Sequence, residues 1–284
     1  MKKIGSFFFC FLPLFASIAL QFAAALPVMG ICLLFICMPY FLSGTKIGYA
    51  ELLLQLNGLY RNQNFAQLIS VIFAVSGILL FGFWYARQFG GSLRFPGNKF
   101  SNKKLILGLA LLVPGLQILS SVLTVISAVL FPGWMEFYEK LMQTAGFSNS
   151  VSPLLILYAV ILGPIEEELT FRGVIFSSAQ KALPFWAANV LQSLLFGIFH
   201  LNVIQGVYAF FIGLFFGYVC KRGGSIYLSI FLHILFNCWG TFVVAENIFL
   251  WFLPFVLLGA AGFFLFHKNT MPQAVNHYSD FSDM

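Results

Sequence analysis

Three consecutive glutamates, Glu166, Glu167 and Glu168, lie between two mostly apolar stretches of the chain. Glu168 and Arg172 are four residues apart with the acid first, which is the favourable order for an ion pair on a helix. Glu167 lies about 100° around the helix from Glu168, so it has no such partner and is free to face another group. A carboxylate embedded in apolar sequence is costly, which favours a functional role over a solvated helix end.

Two of the four histidines also lie in apolar surroundings. His200 ends one apolar run and His233 interrupts another, whereas the remaining two, near the end of the chain, are expected at the surface. Asn237 follows His233 by four residues, so both project from one helix face. His200 belongs to a polar stripe at helical spacing, which also contains Asn189, Gln192 or Ser193, and Phe196. A lone histidine is more often a packing residue, but this combination indicates a shared site.

Such a set of side chains suits the hydrolysis of a peptide bond. A carboxylate and a histidine can activate water, while a second histidine and an amide can stabilise the oxyanion. A serine or cysteine nucleophile is poorly supported, because the sequence has no G-x-S-x-G motif and none of its cysteines forms a CxxC pair. Glu167, His200 and His233 also resemble a zinc-binding set. The H-E-x-x-H motif is absent, so these residues do not decide whether a metal activates the water. Zinc or another divalent metal is the candidate cofactor.

The composition indicates that the elements carrying these residues lie in a membrane. Of 284 residues, 60% are hydrophobic and 8% are charged, against roughly a quarter charged in soluble domains. We expect a single all-α domain over residues 1–284, a polytopic transmembrane helical bundle, because unpaired backbone in lipid leaves only helices or closed barrels and these runs are too long for barrel strands. Eight spans are expected, at about 7–38, 66–86, 105–130, 152–175, 183–200, 204–220, 225–246 and 248–266.

The first apolar run is too long for a simple span. It resembles a secretory signal peptide but continues to Leu42, so we expect an uncleaved membrane segment. At ~1.5 Å per residue this run exceeds a ~30 Å bilayer core. It must therefore tilt, overhang the membrane, or break near Pro27 and Gly30.

The basic residues predict the orientation of the chain in the cell membrane. If the N-terminus is cytoplasmic, all of the 15 Lys and Arg residues fall on the inner side except Lys46, Arg61 and Lys140. This bias predicts that both termini are cytoplasmic and that residues 269–284 form a cytoplasmic tail. The net charge of +6 does not indicate nucleic-acid binding, because no solvated domain is expected to present a basic face.

Three motifs in order resemble those of one family. E-E-x-x-x-R (Glu167, Glu168, Arg172), F-x-x-x-H (Phe196, His200) and H-x-x-x-N (His233, Asn237) occur on separate predicted helices. They resemble the CAAX protease and bacteriocin-processing family, also called the abortive-infection family, of intramembrane endopeptidases. The resemblance covers about residues 150–240, which we expect to form the protease core.

The resemblance implies a helical bundle around a water-filled cavity. In it, Glu167 and His200 would activate water, His233 and Asn237 would stabilise the oxyanion, and Glu168, Arg172 and Phe196 would support the site. The family is described as either glutamic or metallo-endopeptidases, so a metal held by Glu167, His200 and His233 stays open. Glu166, which precedes the motif, has no implied role.

The expected function is therefore hydrolysis of a peptide or protein presented at the lipid bilayer. Both prenylated tails and bacteriocin-like precursors are substrate types of the family, and a precursor is favoured here. The alternative is a non-catalytic immunity or regulatory protein that binds a peptide or a sensor partner. A transporter is a third reading, but no inverted repeat supports it.

Overall fold

The computed structural model describes residues 2–60, 62–90, 96–147, 151–243 and 248–270. These residues contain helices and no strand. In chain order the helices are α1 (Lys2–Phe9), α2 (Leu12–Ser43), α3 (Tyr49–Tyr60), α4 (Gln63–Phe89), α5 (Gly97–Phe100), α6 (Lys103–Leu130), α7 (Pro132–Ala145), α8 (153–180), α9 (Phe185–Phe199), α10 (Val203–Gly223), α11 (Ile226–Phe242) and α12 (Ile248–Lys268).

The predicted all-α polytopic bundle is confirmed. Among the described residues, five helical segments are long and apolar enough to cross a membrane: Phe7–Ser43, Gln63–Phe89, Lys103–Leu130, Val203–Gly223 and Leu250–Lys268. The apolar helices α9 and α11 are shorter, and α8 is a composite helix. Each of the eight predicted spans therefore corresponds to a helical segment, and the protein is a multi-pass membrane protein.

The helix ends differ from the predicted limits by several residues. α2 continues to Ser43, where Gly44 ends it in a left-handed conformation, and α4 begins earlier, after an Asn62 side chain that caps its first turn. α11 stops at Phe242 instead of residue 246, because Val243 is extended. Apolar patterns mark the part of a helix that meets lipid, whereas caps decide where it ends. Most of the predicted tail lies outside the described residues.

The first apolar run is interrupted near its start, where α1 ends at Phe9 and α2 begins at Leu12. α2 is one continuous helix through Pro27 and Gly30, so of the three expected alternatives, a tilt, an overhang or a break near these residues, the break does not occur. The apolar segment Phe7–Ser43 spans 37 residues, or about 55 Å of helix. It must therefore tilt or extend beyond a bilayer core of about 30 Å.

The pair α6 and α12 packs at backbone contact through glycines. A Cβ atom built on Gly115 would lie 2.7 Å from the Cα atom of Gly259, and one built on Gly262 would lie 2.4 Å from the backbone nitrogen of Leu112. Small residues allow such close approach between membrane helices.

Glycines also bring α9 and α10 together, as the G-x-x-x-G spacing of Gly213 and Gly217 predicts. A Cβ atom on Gly217 would lie 1.9 Å from Oδ1 of Asn189, and one on Gly213 would lie 3.2 Å from the Arg172 guanidinium. The glycines therefore provide room for buried polar groups as well as close packing.

The helix α8 carries the three glutamates and is irregular on both sides of them. Its glutamate-bearing turn, Gly163–Glu168, lies between two stretches of π-helix, Leu157–Leu162 and Leu169–Ile175. Such widened turns are rare and occur often at functional sites. They change the rotational phase of the helix, so the direction of each side chain after them differs from that of a regular α-helix.

Candidate active site

The three glutamates point in three directions from α8. The side chains of Glu166 and Glu168 are fully buried, whereas that of Glu167 is 17% exposed. Successive residues of a helix are about 100° apart, so each carboxylate meets a different neighbour. Glu167 is the member of this triplet that a molecule entering from outside the core can reach.

Glu168 links two parts of the motif set. Its Oε1 atom lies 2.9 Å from Nη1 of Arg172, which confirms the ion pair predicted from their spacing, and 2.9 Å from Nδ1 of His233. His233 is on α11, 65 residues away in sequence. The ion pair is fully buried, so Glu168 balances the charge of Arg172 and holds the histidine at the same time.

Arg172 is enclosed by aromatic rings and one backbone carbonyl. Its guanidinium carbon lies 4.5 Å from the ring centre of Phe196 and 5.2 Å from that of Phe216. Its Nη2 atom donates to the carbonyl of Gly213 over 3.3 Å. Cation–π contacts of this kind are strongest where water is excluded. Phe196, expected as a supporting residue, therefore lies against the arginine.

Glu167 faces His233. Its Oε2 atom lies 3.5 Å from Nε2 of the histidine. Because an ionised carboxylate only accepts hydrogen bonds, the hydrogen of a neutral His233 belongs on Nδ1, where it is donated to Glu168. Nε2 then carries a lone pair toward Glu167. Two acceptor atoms at this distance can both accept from one water molecule, so the pair forms a candidate water-binding point.

His200 also contacts Phe196. Its ring is edge-on to Phe196 with 4.9 Å between ring centres, and Phe196 lies 6.0 Å from the ring of His233. Within the described part of the chain, His200 pairs with no carboxylate, and its buried Nδ1 atom has no hydrogen-bond partner. The structure thus brings His233 into contact with Glu167, whereas His200 contacts Phe196 and forms no ion pair with a carboxylate among the described residues.

Asn237 is held by the backbone of α8. Its Nδ2 atom donates to the carbonyl oxygen of Ala159 over 2.8 Å. Ala159 lies in the π-helical stretch that precedes the glutamates. Asn237 therefore connects α11 to α8 one turn beyond His233, and its amide would have to turn to donate to an oxyanion.

A metal at this site would use Glu167, His200 and His233. Across the described ranges, no group of three His, Cys, Asp or Glu side chains has an arrangement that can hold a metal ion. Nδ1 of His233 is occupied by Glu168, and His200 lies apart from the carboxylates. The side chains in this arrangement do not fit a metal.

Sequence reasoning missed several residues that contact the site. Phe216 packs against His233 with 4.5 Å between ring centres and a tilt of 33° between the rings; its position between Gly213 and Gly217 was the available signal. Ser17 of α2 and Gly77 of α4 contact Glu166. Neither belongs to a motif, and no local pattern in the sequence indicates that they meet the glutamates.

Comparison with known proteins gives a match to the segment of the chain that carries these residues. Residues 149–239 match a family model described as type II CAAX prenyl endopeptidase Rce1-like. The chain is 35% identical over 92 residues to membrane peptidase YdiL of Bacillus subtilis (strain 168), a name given to that protein provisionally. This match covers 32% of the present chain and 36% of the relative's length. No solved structure gives a significant match.

The family-model match begins before α8 and ends within α11, so it contains every motif residue described above. The helices that precede residue 149 lie outside it. Through this segment the chain is similar to the CAAX protease and bacteriocin-processing family that its motifs resemble.

Proposed function

We propose that this protein is an intramembrane endopeptidase in which Glu167 activates the hydrolytic water. One observation carries the proposal. Among three adjacent carboxylates, Glu167 alone is partly exposed, and it faces a histidine nitrogen at 3.5 Å. Glu168 is occupied by Arg172 and His233, so it serves as support and leaves Glu167 to accept a proton.

The reaction follows from the properties of these groups. The oxygen of a bound water bonds to the carbonyl carbon of the substrate while its proton passes to Glu167. The carbonyl oxygen gains negative charge and needs hydrogen-bond donors. When the C–N bond breaks, Glu167 returns the proton to the amine nitrogen. The products are a carboxylic acid and an amine, and the residues end as they began.

The separate roles of His200 and His233 are part of the proposal. The family resemblance assigns His200 to the water and His233 with Asn237 to the oxyanion. The unpartnered Nδ1 atom of His200 supports a role with water or substrate. The contact between His233 and Glu167 supports a place for His233 close to the same water. The amide of Asn237 can donate a hydrogen bond to the oxyanion only after it releases the carbonyl oxygen of Ala159.

We propose a membrane-presented peptide or protein precursor as the substrate and water activation without a metal. The family description names prenyl endopeptidases and the Bacillus relative is named as a membrane peptidase, which supports a substrate at the bilayer. The misfit of the three candidate ligands supports the metal-free form. The bias of basic residues supports a cell-membrane protein with both termini in the cytoplasm.

The experiment is cleavage of fluorogenic peptides, prenylated and unmodified, by protein purified in detergent. Wild type is compared with Glu167→Gln and His200→Ala, and with Glu136→Gln on the exposed surface of α7 as the matched control. We expect the first two substitutions to lower kcat/KM by about 10²–10⁴-fold, and the control to leave it unchanged. Cleavage unaffected by Glu167→Gln would contradict the proposal. A cellular function that survives Glu167→Gln would favour a peptide-binding protein.

A further inference from the structure

Glu166 is the acid of the triplet to which the family motif gives no role. It is fully buried, although it neighbours the partly exposed Glu167. Its Oε1 atom accepts hydrogen bonds from Oγ1 of Thr170, over 2.9 Å, and from Oγ of Ser17, over 3.3 Å. Thr170 is one turn further along α8, whereas Ser17 lies on α2. Glu166 therefore connects the glutamate-bearing turn to a helix outside the segment that matches the family.

The fit around Glu166 depends on a glycine of a third helix. A Cβ atom built on Gly77 of α4 would lie 2.5 Å from Cγ of Glu166, and its three nearest atoms would all belong to this side chain. Ser17 is itself fully buried. Oε2 of Glu166 has no hydrogen-bond partner among the described residues. The carboxyl group is thus fixed through one oxygen and by close packing.

Glu166 and Glu168 hold α8 from two sides. Glu166 is bound toward α2 and α4, and Glu168 is bound to His233 on α11. The turn that carries them is bordered by π-helical stretches on both sides, where the regular hydrogen-bond ladder is interrupted. The rotation of this turn is therefore set by its side-chain anchors more than by the continuing helix. A rotation that moves Glu167 away from His233 must break one of the two anchors.

We propose that Glu166 is a positioning residue, which through Ser17 and Thr170 holds the glutamate-bearing turn of α8 in the rotation that aims Glu167 at His233. This inference rests on the proposed function only in the test that measures cleavage, because the test of thiol reactivity needs no enzymatic activity. It also makes α2, which carries no motif, a part of the machinery that orients the site.

The first test needs no substrate. In a protein whose five cysteines are replaced by alanine, Glu167→Cys places a thiol at the proposed reactive position, and its rate of reaction with a water-soluble thiol reagent is measured. Adding Glu166→Ala removes two accepted hydrogen bonds that hold the glutamate-bearing turn. The rate of thiol modification at position 167 should then change by about tenfold. Adding Glu166→Gln keeps an acceptor oxygen and should leave the rate within about twofold. An equal rate with Glu166→Ala would overturn the inference.

The second test uses cleavage by protein with native cysteines. Glu166→Ala should lower kcat about tenfold with KM nearly unchanged, and Glu166→Gln should restore most of kcat. Gly77→Ala should lower kcat when Glu166 is present but have no further effect in Glu166→Ala, where Cγ is gone. Additive effects of these two substitutions, or Glu166→Gln as impaired as Glu166→Ala, would contradict the positioning role. Absence of cleavage by wild type would count against the proposed function, while the thiol rates still decide the role of Glu166.

Discussion

The Nδ1 atom of His233 lies 2.9 Å from Oε1 of Glu168, and this contact decides which histidine nitrogen faces Glu167. Glu168 also pairs with the buried Arg172, so its carboxylate stays available as an acceptor. With Nδ1 occupied, Nε2 is directed at Glu167. The second glutamate of the motif thus acts on the site through a histidine that is distant in sequence.

Glu168→Gln should destabilise the protein much more than Glu167→Gln. Removing the charge of Glu168 leaves the buried Arg172 without its partner, and breaking a buried ion pair from one side costs about 3–5 kcal/mol. Glu167 makes no ion pair with Arg172. Thermal unfolding in detergent measures the difference, with exposed Glu139→Gln on α7 as the control. Equal unfolding temperatures for the two variants would contradict the assigned roles.

Phe196→Leu should weaken both stability and cleavage. The ring lies 4.5 Å below the Arg172 guanidinium and against His200, so its loss removes a cation–π contact of about 2 kcal/mol and a wall beside the histidine. Phe211→Leu, at an exposed position on α10, is the control and should change little. Unfolding temperature and kcat/KM are measured together. Wild-type values of both for Phe196→Leu would show that the ring has no supporting role.

Asn237→Ala distinguishes a structural role of Asn237 from a catalytic one, because the two roles predict different losses of stability and of kcat. Loss of the hydrogen bond to Ala159 should cost about 1 kcal/mol of stability. Loss of an oxyanion donor should lower kcat by about 10²–10³-fold. We expect both effects, measured by thermal unfolding and by single-turnover cleavage. A loss of stability with unchanged kcat would leave Asn237 as a link between α8 and α11.

A chelator is expected to leave cleavage unchanged. His233 uses Nδ1 to bind Glu168 and His200 pairs with no carboxylate in the described ranges, so the three candidate ligands do not converge. The measurement is kcat/KM before and after treatment with 1,10-phenanthroline, followed by added zinc. Activity that is lost with the chelator and recovered with zinc would show that the side chains rearrange around a metal.

Gly262→Ala should destabilise the contact between α6 and α12. Its Cβ atom would lie 2.4 Å from a backbone nitrogen of Leu112, and backbone cannot move aside as a flexible side chain can. Overpacking of this kind costs about 1–3 kcal/mol. The matched control is Gly30→Ala, because nothing lies within 4 Å of its Cβ position. Similar unfolding temperatures for the two variants would contradict the close helix contact.

Relations within one helix follow from the sequence alone. The order and spacing of Glu168 and Arg172 predicted their ion pair. Apolar run lengths predicted the all-α membrane bundle. These relations depend on helical periodicity and on the cost of polar groups in lipid, both of which can be evaluated over a short stretch of chain.

Relations between helices depended on the tertiary structure. That His233 meets Glu168 across 65 residues, and Ser17 meets Glu166 across 149, depends on which helices pack together and at what rotation. The π-helical turns around the glutamates shift that rotation, and glycines set how closely the helices approach. The sequence by itself therefore predicted a set of candidate residues for the chemistry. Packing decided which of them face one another, because a helix pattern contains no information on the angle at which another helix meets it.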